Sequence, residues 1–278
     1  MRYGMPYQGS KSAIAEWVVD VLPRSHTLVD LFAGGCAVTH AALVKGKYDR
    51  IIASDITDTP SVFLAAAKGE FRDFATVVTR DEFLASDDTA LKILYSFGNN
   101  KNGYLWADDL ASFKVPAAKM LSAPSLYERR MAYREFCKKF LEFIKGKNDG
   151  SLRIQSLERL QNMQNLEALE RLEALERLDY RLVDIPDGAT VYADPPYRNT
   201  DCTAYGVDFD FEAFDAWLNG VDFPVYVSEY TAPRGCVEVA CISKLSSMPA
   251  TTNTKTIERI FVQERFADQY EPDQGRLF

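Results

Sequence analysis

Cysteine and histidine are scarce in this chain. The five cysteines (Cys36, Cys137, Cys202, Cys236 and Cys241) are odd in number, widely spread and form no Cys-x-x-Cys pair. The two histidines, His26 and His40, lie near none of them except Cys36. That pattern speaks against a disulfide framework and against a zinc site, and fits a reducing, cytosolic compartment. No run of 18 apolar residues occurs, so no segment reads as a membrane-spanning helix. The opening stretch MRYGMPYQGSKS lacks the apolar centre of a secretory signal.

What is present is ample apolar material. The 278 residues are 47% hydrophobic, enough for one large α/β domain or a core domain carrying an insertion. The formal net charge of −8 argues mildly against a nucleic-acid binder. Its distribution argues back: residues 92–147 hold eleven Lys/Arg against five Asp/Glu, a local balance of +6 within a remainder of −14. A basic segment of that kind suits a phosphate-contacting surface, or equally a solvated helix face.

Periodicity organises the chain into alternating elements. Residues 12–22 (SAIAEWVVDVL) have helical spacing and end at Pro23. Residues 27–32 (TLVDLF) read as a strand running into Ala33-Gly34-Gly35-Cys36, after which 37–45 reads as a helix. Residues 50–53 (RIIA) form a second strand candidate closed by Ser54-Asp55. Strand, glycine turn, helix and strand with a terminal acid is the opening of a doubly wound nucleotide-binding sheet. Glycines allow close backbone approach by a ligand, and the acid can accept hydrogen bonds from both ribose hydroxyls. Residues 61–150 read as a mainly helical insertion, broken by the turn at 98–103 and by Pro116 and Pro124. Residues 127–145 form a basic, aromatic-rich helix whose Tyr127, Met131, Phe136, Phe140 and Phe143 are expected to face a core. From 157 to 178 a leucine or methionine recurs every third residue, and LEALER occurs twice in tandem at 166–177. A period of three matches neither helix nor strand; the composition favours a helix there. Strands are expected at 189–193, 225–228 and 257–262, with a helix at 211–218. The class is α/β.

Asp194-Pro195-Pro196-Tyr197, directly after the strand at 189–193, carries the chemistry. A planar amino group, such as N6 of adenine, is a poor nucleophile because its lone pair is delocalised into the ring. The Asp194 carboxylate and the Pro195 carbonyl can accept its two hydrogens and push the nitrogen towards sp3 character, while Tyr197 stacks on the ring. Prolines stiffen such a turn and leave its carbonyls free to accept. The plainer reading is a Pro-Pro turn with Asp194 as a local cap.

Four blocks in order carry a resemblance. They are Tyr7-Gln8-Gly9-Ser10-Lys11, Asp30-Leu31-Phe32-Ala33-Gly34-Gly35-Cys36, Asp55, and Asp194 to Tyr197. Asp179-Tyr180, and Ser228-Glu229-Tyr230 with Thr256 to Val262, are fainter echoes. Together the chain resembles the Dam-like (D12 class) DNA adenine-N6 methyltransferases. The resemblance implies a Rossmann-like class I S-adenosylmethionine-dependent methyltransferase sheet of seven strands, one of them antiparallel. It implies a catalytic domain from 1–60 and 151–278 and a target-recognition insertion at 61–150, with the repeat at 157–178 as a connector. It further implies that S-adenosyl-L-methionine is held by Tyr7, Lys11, Asp30, Phe32, Gly34, Gly35, Asp55, Asp179, Tyr180 and Asp194. The flipped adenine of double-stranded DNA would be held by Asp194, Pro195, Pro196 and Tyr197, with Lys11 steadying the Asp194 carboxylate. Two departures stand out. Cys36 occupies the place of a second glycine, and the arginine expected after Asn102-Gly103 is missing near Trp106, so no target sequence carries over.

Residues 274–278 (Gln274-Gly275-Arg276-Leu277-Phe278) resemble the Q-x-x-L-F peptide that docks on bacterial sliding clamps, which makes Gln274, Leu277 and Phe278 candidate contacts. The chain has no Pro-Cys pair, which argues against cytosine-C5 chemistry by a cysteine nucleophile. Methylation of RNA or of a protein amide nitrogen, and a non-catalytic DNA- or clamp-binding role, stay open as alternatives. The expected location is the cytoplasm, on the nucleoid while acting on DNA.

Overall fold

Seven segments pair into one sheet in this computed structural model. It describes residues 3–7, 9–71, 77–123, 125–143, 169–198, 209–245 and 255–271. The strands are β1 (Thr27–Asp30), β2 (Arg50–Ser54), β3 (Leu172–Leu175), β4 (Thr190–Ala193), β5 (Val225–Glu229), β6 (Cys236–Leu245) and β7 (Lys255–Gln263). Their spatial order is β3-β2-β1-β4-β5-β7-β6. Neighbours from β3 to β5 are parallel, while β7 runs antiparallel to both β5 and β6. This is the expected Rossmann-like class I sheet with its one reversed strand. Strands β1, β4 and β5 are buried along their whole length, which is why they read as continuous apolar runs rather than alternating ones. The direction of strand addition reverses between β1 and β4. Ligands of open α/β sheets bind outside the carboxyl ends of the strands at such a switch point.

Helices α1 (Ala15–Val21), α2 (Ala37–Lys45) and α3 (Thr59–Ala67) follow the expected pattern. The C-terminal carbonyls of α1 are satisfied by a buried cation: the Lys47 ammonium donates to the Val19 carbonyl at 2.7 Å and to that of Leu22. Helix α1 is shorter than the 12–22 segment because residues 12–14 form a turn. The insertion contains α4 (Arg80–Ala85), α5 (Thr89–Leu94), α6 (Asp108–Ser122) and α7 (Leu126–Phe143). Helix α8 (Phe211–Gly220) follows β4, with Asp210 capping it by accepting from the Glu212 and Ala213 amides. The chain divides into two compact units: Met1–Gly4, Ser10–Ser61 and Glu167–Phe278 form one, and Met5–Gly9 with Val62–Leu166 the other.

The structure differs from the sequence reading in four places. The second LEALER copy is not helical: Leu172–Leu175 is an edge strand, in register with Ile51 to Ser54 of β2. Helix propensity is a weak prior. The far edge of β2 needs hydrogen-bond partners, and Leu175 gains contact with the sheet core. Residues 157–168 lie outside the described residues, as does the 274–278 segment. Helix α6 runs through Pro116 instead of stopping there; it packs on α7, and that contact offsets the roughly 3 kcal/mol a proline costs inside a helix. Tyr127 and Met131 were expected in a core but are 74% and 48% exposed. Strand β6 was not anticipated, although its alternation (Cys236 to Leu245) is a strand signal.

Candidate active site

The catalytic candidates meet at the carboxyl end of β4. Asp194 is the first residue past this strand, and Lys11 comes from the turn ahead of α1. The Lys11 ammonium lies 2.7 Å from Asp194 Oδ1, with side-chain exposures of only 9% and 17%. It also lies 4.5 Å from the centre of the Tyr197 ring, a cation–π contact. Lys11 therefore touches both ends of the Asp-Pro-Pro-Tyr corner. The Tyr197 hydroxyl donates to Glu258 Oε2 at 3.0 Å, and the edge of the ring pair with Tyr230 closes at 4.6 Å and 84°. Glu229, at the end of β5, accepts from the Arg198 amide at 2.9 Å and from the Tyr230 amide at 2.7 Å. The corner is thus clamped from three directions, by Lys11, Glu229 and Glu258.

Burial raises the Asp194 carboxyl above its ordinary value; the Lys11 charge opposes this and the Glu258 charge adds to it. Burial likewise pushes the Tyr197 phenol well up, so it stays a neutral donor towards Glu258. Glu229 is raised by burial against the two amides that stabilise its charge.

Beside this corner lies the glycine turn. The Leu31 amide donates to the Tyr192 carbonyl at 2.9 Å, and the Ala33 amide to that of Ser54 at 2.9 Å, so the ends of β1, β2 and β4 are tied together. Asp30 is buried. Its Oδ2 accepts from the Thr39 hydroxyl at 2.7 Å, while Oδ1 has no hydrogen-bond partner among the described residues. Burial, together with the charges of Asp194 and Asp55, raises Asp30 to about 7 against the lowering effect of Thr39. Asp55 faces the turn: its Oδ2 accepts from the Gly34 amide at 2.8 Å, and its Oδ1 from the Thr57 amide and hydroxyl. Cys36, at the position of the absent glycine, keeps a left-handed conformation (φ 56°, ψ 37°). A non-glycine residue there costs roughly 1–2 kcal/mol.

Gly4 was missed in the sequence. It has φ +68°, and a Cβ there would sit 2.5 Å from the Gly35 carbonyl oxygen and 2.7 Å from Ala37 backbone atoms. Its amide donates to His40 Nδ1 at 2.9 Å. The chain start is thereby laid directly on the glycine turn.

Phe32 and Tyr180 stack at 5.1 Å and 34°. Tyr180 also meets Trp217 at 4.9 Å and Phe214 at 5.5 Å, both on α8. Asp179 is engaged with Arg181, accepting from its amide and guanidinium, and so caps the short 3-10 turn at Tyr180–Leu182. Tyr7 belongs to the other unit, where the Lys101 ammonium lies 5.6 Å from its ring centre. Glu229 and Glu258 lie within the fainter echoes of the resemblance but were not named as site residues. Their signal was a charged residue at a buried strand position: Glu258 shares its face of β7 with the buried Ile260.

The profile of the family described as D12 class N6 adenine-specific DNA methyltransferase matches residues 7–217. The chain belongs to this family. It is an adenine-specific DNA methyltransferase. The matched span contains Lys11, the glycine turn, Asp55 and the Asp194 corner and ends within α8, so Glu229 and Glu258 lie beyond it. Among curated proteins no match is found. Among solved structures, the rRNA methyltransferase aviRa from Streptomyces viridochromogenes is similar over 92% of this chain and 85% of its own, at 16% identity and a TM-score of 0.34. No helix among the described residues is long and apolar enough to cross a membrane.

Proposed function

We propose that this methyltransferase moves a methyl group from S-adenosyl-L-methionine to N6 of an adenine flipped out of double-stranded DNA. The observation that carries the reading is the buried Lys11–Asp194 pair held against Tyr197, at the switch point of the sheet and beside the glycine turn.

The residues fit the donor. Among the described residues no donor reaches the buried Asp30 Oδ1, which suits the ammonium of a methionine moiety. Asp55, tied to the Gly34 amide, is an acceptor for ribose hydroxyls, and Phe32 with Tyr180 offers an aromatic ledge for adenine beside Gly34 and Gly35. Lys11 and Asp179 complete the proposed contacts. When bound, the donor supplies a methyl group already activated on a sulfonium, so positioning is the chief task of the protein.

Asp194 and the Pro195 carbonyl accept the two hydrogens of the exocyclic amino group and keep its lone pair on nitrogen. The raised Asp194 carboxyl is able to take the proton released on transfer. Lys11 occupies one face of the Tyr197 ring, so base stacking falls to the other. Stacking worth about 1–3 kcal/mol offsets part of the few kcal/mol that flipping costs.

Asp194→Ala is expected to abolish labelled-methyl incorporation into plasmid DNA while donor affinity stays within tenfold. Sequencing the DNA for modified adenines checks the site of transfer. Full activity in that variant overturns the assignment.

A further inference from the structure

Helix α8 carries the wall behind one half of the site and an anchor for the other. Phe211, Phe214, Asp215 and Leu218 recur at i, i+3, i+4 and i+7, so they share one face. Phe214 and Leu218 are buried in the sheet core. Phe214 meets Phe32 at 5.9 Å, and Phe214 and Trp217 both pack on Tyr180, so the helix backs the ledge proposed for the donor adenine. Both ends of α8 are fixed. Asp210 caps the first turn. At the far end the Gln263 side-chain amide donates to the Leu218 carbonyl at 2.9 Å, and Arg265 donates to the carbonyls of Asn219, at 2.7 Å, and of Val221. The last carbonyls of the helix are thus satisfied from the end of β7 and just beyond it.

Arg198, directly after Tyr197, fastens the catalytic corner to this helix. Its guanidinium lies 2.5 Å from Asp215 Oδ1, with side-chain exposures of 29% and 13%. The same guanidinium lies 5.0 Å from the centre of the Phe211 ring, a cation–π contact. Its backbone amide donates to the buried Glu229 at the end of β5. One residue is therefore bonded through its backbone to the sheet and through its side chain to α8. A fully exposed ion pair is worth little. This one is largely shielded from water and stacked on a ring, which fixes its geometry. Glu229 and Glu258 hold the corner from the strands; the Arg198–Asp215 pair holds it from the helix that backs the donor ledge.

We propose that Arg198 is a positioning residue, whose pair with Asp215 fixes the separation between the corner that grips the amino group and the ledge that holds the donor. In-line transfer needs the methyl carbon and the acceptor nitrogen aligned near contact. Losing the tie therefore slows the transfer step and spares both binding steps. The inference rests on the proposed methyl transfer.

The test uses the full chain and four variants. Arg198→Met and Asp215→Asn each remove the pair, and the combined variant removes both partners. Arg198→Lys keeps a cation beside Asp215 and over Phe211. All measurements are made well below the lowest melting midpoint of the set. The first readout is single-turnover methylation of plasmid DNA with labelled S-adenosylmethionine. Each single variant should transfer about 10- to 100-fold more slowly, with donor Kd and KM for DNA within about threefold of wild type. The combined variant should be no slower than either single one, because both remove the same interaction. Arg198→Lys should recover most of the rate. The second readout is amide hydrogen exchange of the peptide spanning 194–198, which needs no reaction. Protection of the Arg198 amide should fall in both single variants. Wild-type transfer rates in the single variants overturn the inference. So does a combined variant restored to the wild-type rate, which marks the single ones as harmed only by an unpaired charge. So does a joint loss of rate, donor affinity and melting temperature in which Lys is no better than Met. If wild type leaves adenine unmethylated yet shows the expected exchange pattern against the variants, the proposed reaction falls while the tie between corner and helix stands.

Discussion

At the scale of single residues, the corner is held in place by side chains outside it. Tyr197 takes its place from a phenol–carboxylate contact to Glu258 and from the Lys11 ammonium over its ring. Misplacing a reacting group by about 1 Å can cost on the order of 100-fold in rate. Glu258→Ala is therefore expected to lower kcat by about 10- to 100-fold with donor affinity unchanged. Glu258→Gln, whose amide oxygen can still accept from the phenol, should recover most of that loss. Steady-state kinetics and donor titration of the two variants decide it; equal damage from both, or none from Ala, removes the positioning role. The Asp-Pro-Pro-Tyr corner and Lys11 stand out in the sequence because each lies in a short local pattern. Glu258 and Gly4 did not, because their partners lie far away in sequence: Glu258 is 61 positions from Tyr197, and Gly4 meets His40 across 36.

At the scale of elements, the short strand β3 shows how context overrides local preference. Its residues Leu, Glu, Ala and Leu belong to a helix-favouring hexapeptide, and an identical copy precedes it. In place, its backbone frames the acid of the glycine turn: the Asp55 amide donates to the Leu175 carbonyl at 3.1 Å, and the Leu178 amide to that of Asp55 at 3.0 Å. Leu175→Asp puts a charge against the sheet core and should cost about 2 kcal/mol or more. A lowered urea midpoint together with weakened donor binding is the expected result. A variant with wild-type stability and affinity would show that this strand contributes nothing to the site. The strands β1, β2, β4, β5 and β7 were readable because a sheet buried on both faces writes itself as apolar runs. Edge strands β3 and β6 are half exposed, so their pattern is diluted.

At the scale of the whole molecule, charge is sorted. Asp30, Asp55, Asp194, Glu229 and Glu258 gather around one end of the sheet, while the insertion holds the surplus of cations. An acidic pocket suits the proposed donor, which bears a sulfonium and an ammonium. The cost appears in stability. The Asp30 carboxyl is raised in the folded protein to about 7 from an ordinary 3.8. Its contribution is fully present below the ordinary value and is lost as pH rises through about 7, because the unfolded chain then binds fewer protons than the folded one. The free protein should therefore melt at a lower temperature at pH 8 than at pH 6. Asp30→Asn should flatten that trend, and stabilisation by S-adenosylmethionine should grow over the same interval. Thermal melts of both proteins, with and without donor, check this. A wild-type trend identical to that of the Asn variant rules out Asp30 as its source.

The amino-acid sequence by itself determined which strands could be buried, where the glycine turn must bend, and which side chains could hold a planar amino group. Those properties follow from local sterics, apolar periodicity and functional-group chemistry, all of which are written in neighbouring residues. Only the tertiary structure decided that a helix-favouring repeat becomes an edge strand, that Tyr127 and Met131 face solvent, and that Glu258 orients Tyr197. Burial and hydrogen-bond satisfaction are set by whichever distant segment arrives to fill the space, and no local pattern encodes that arrival.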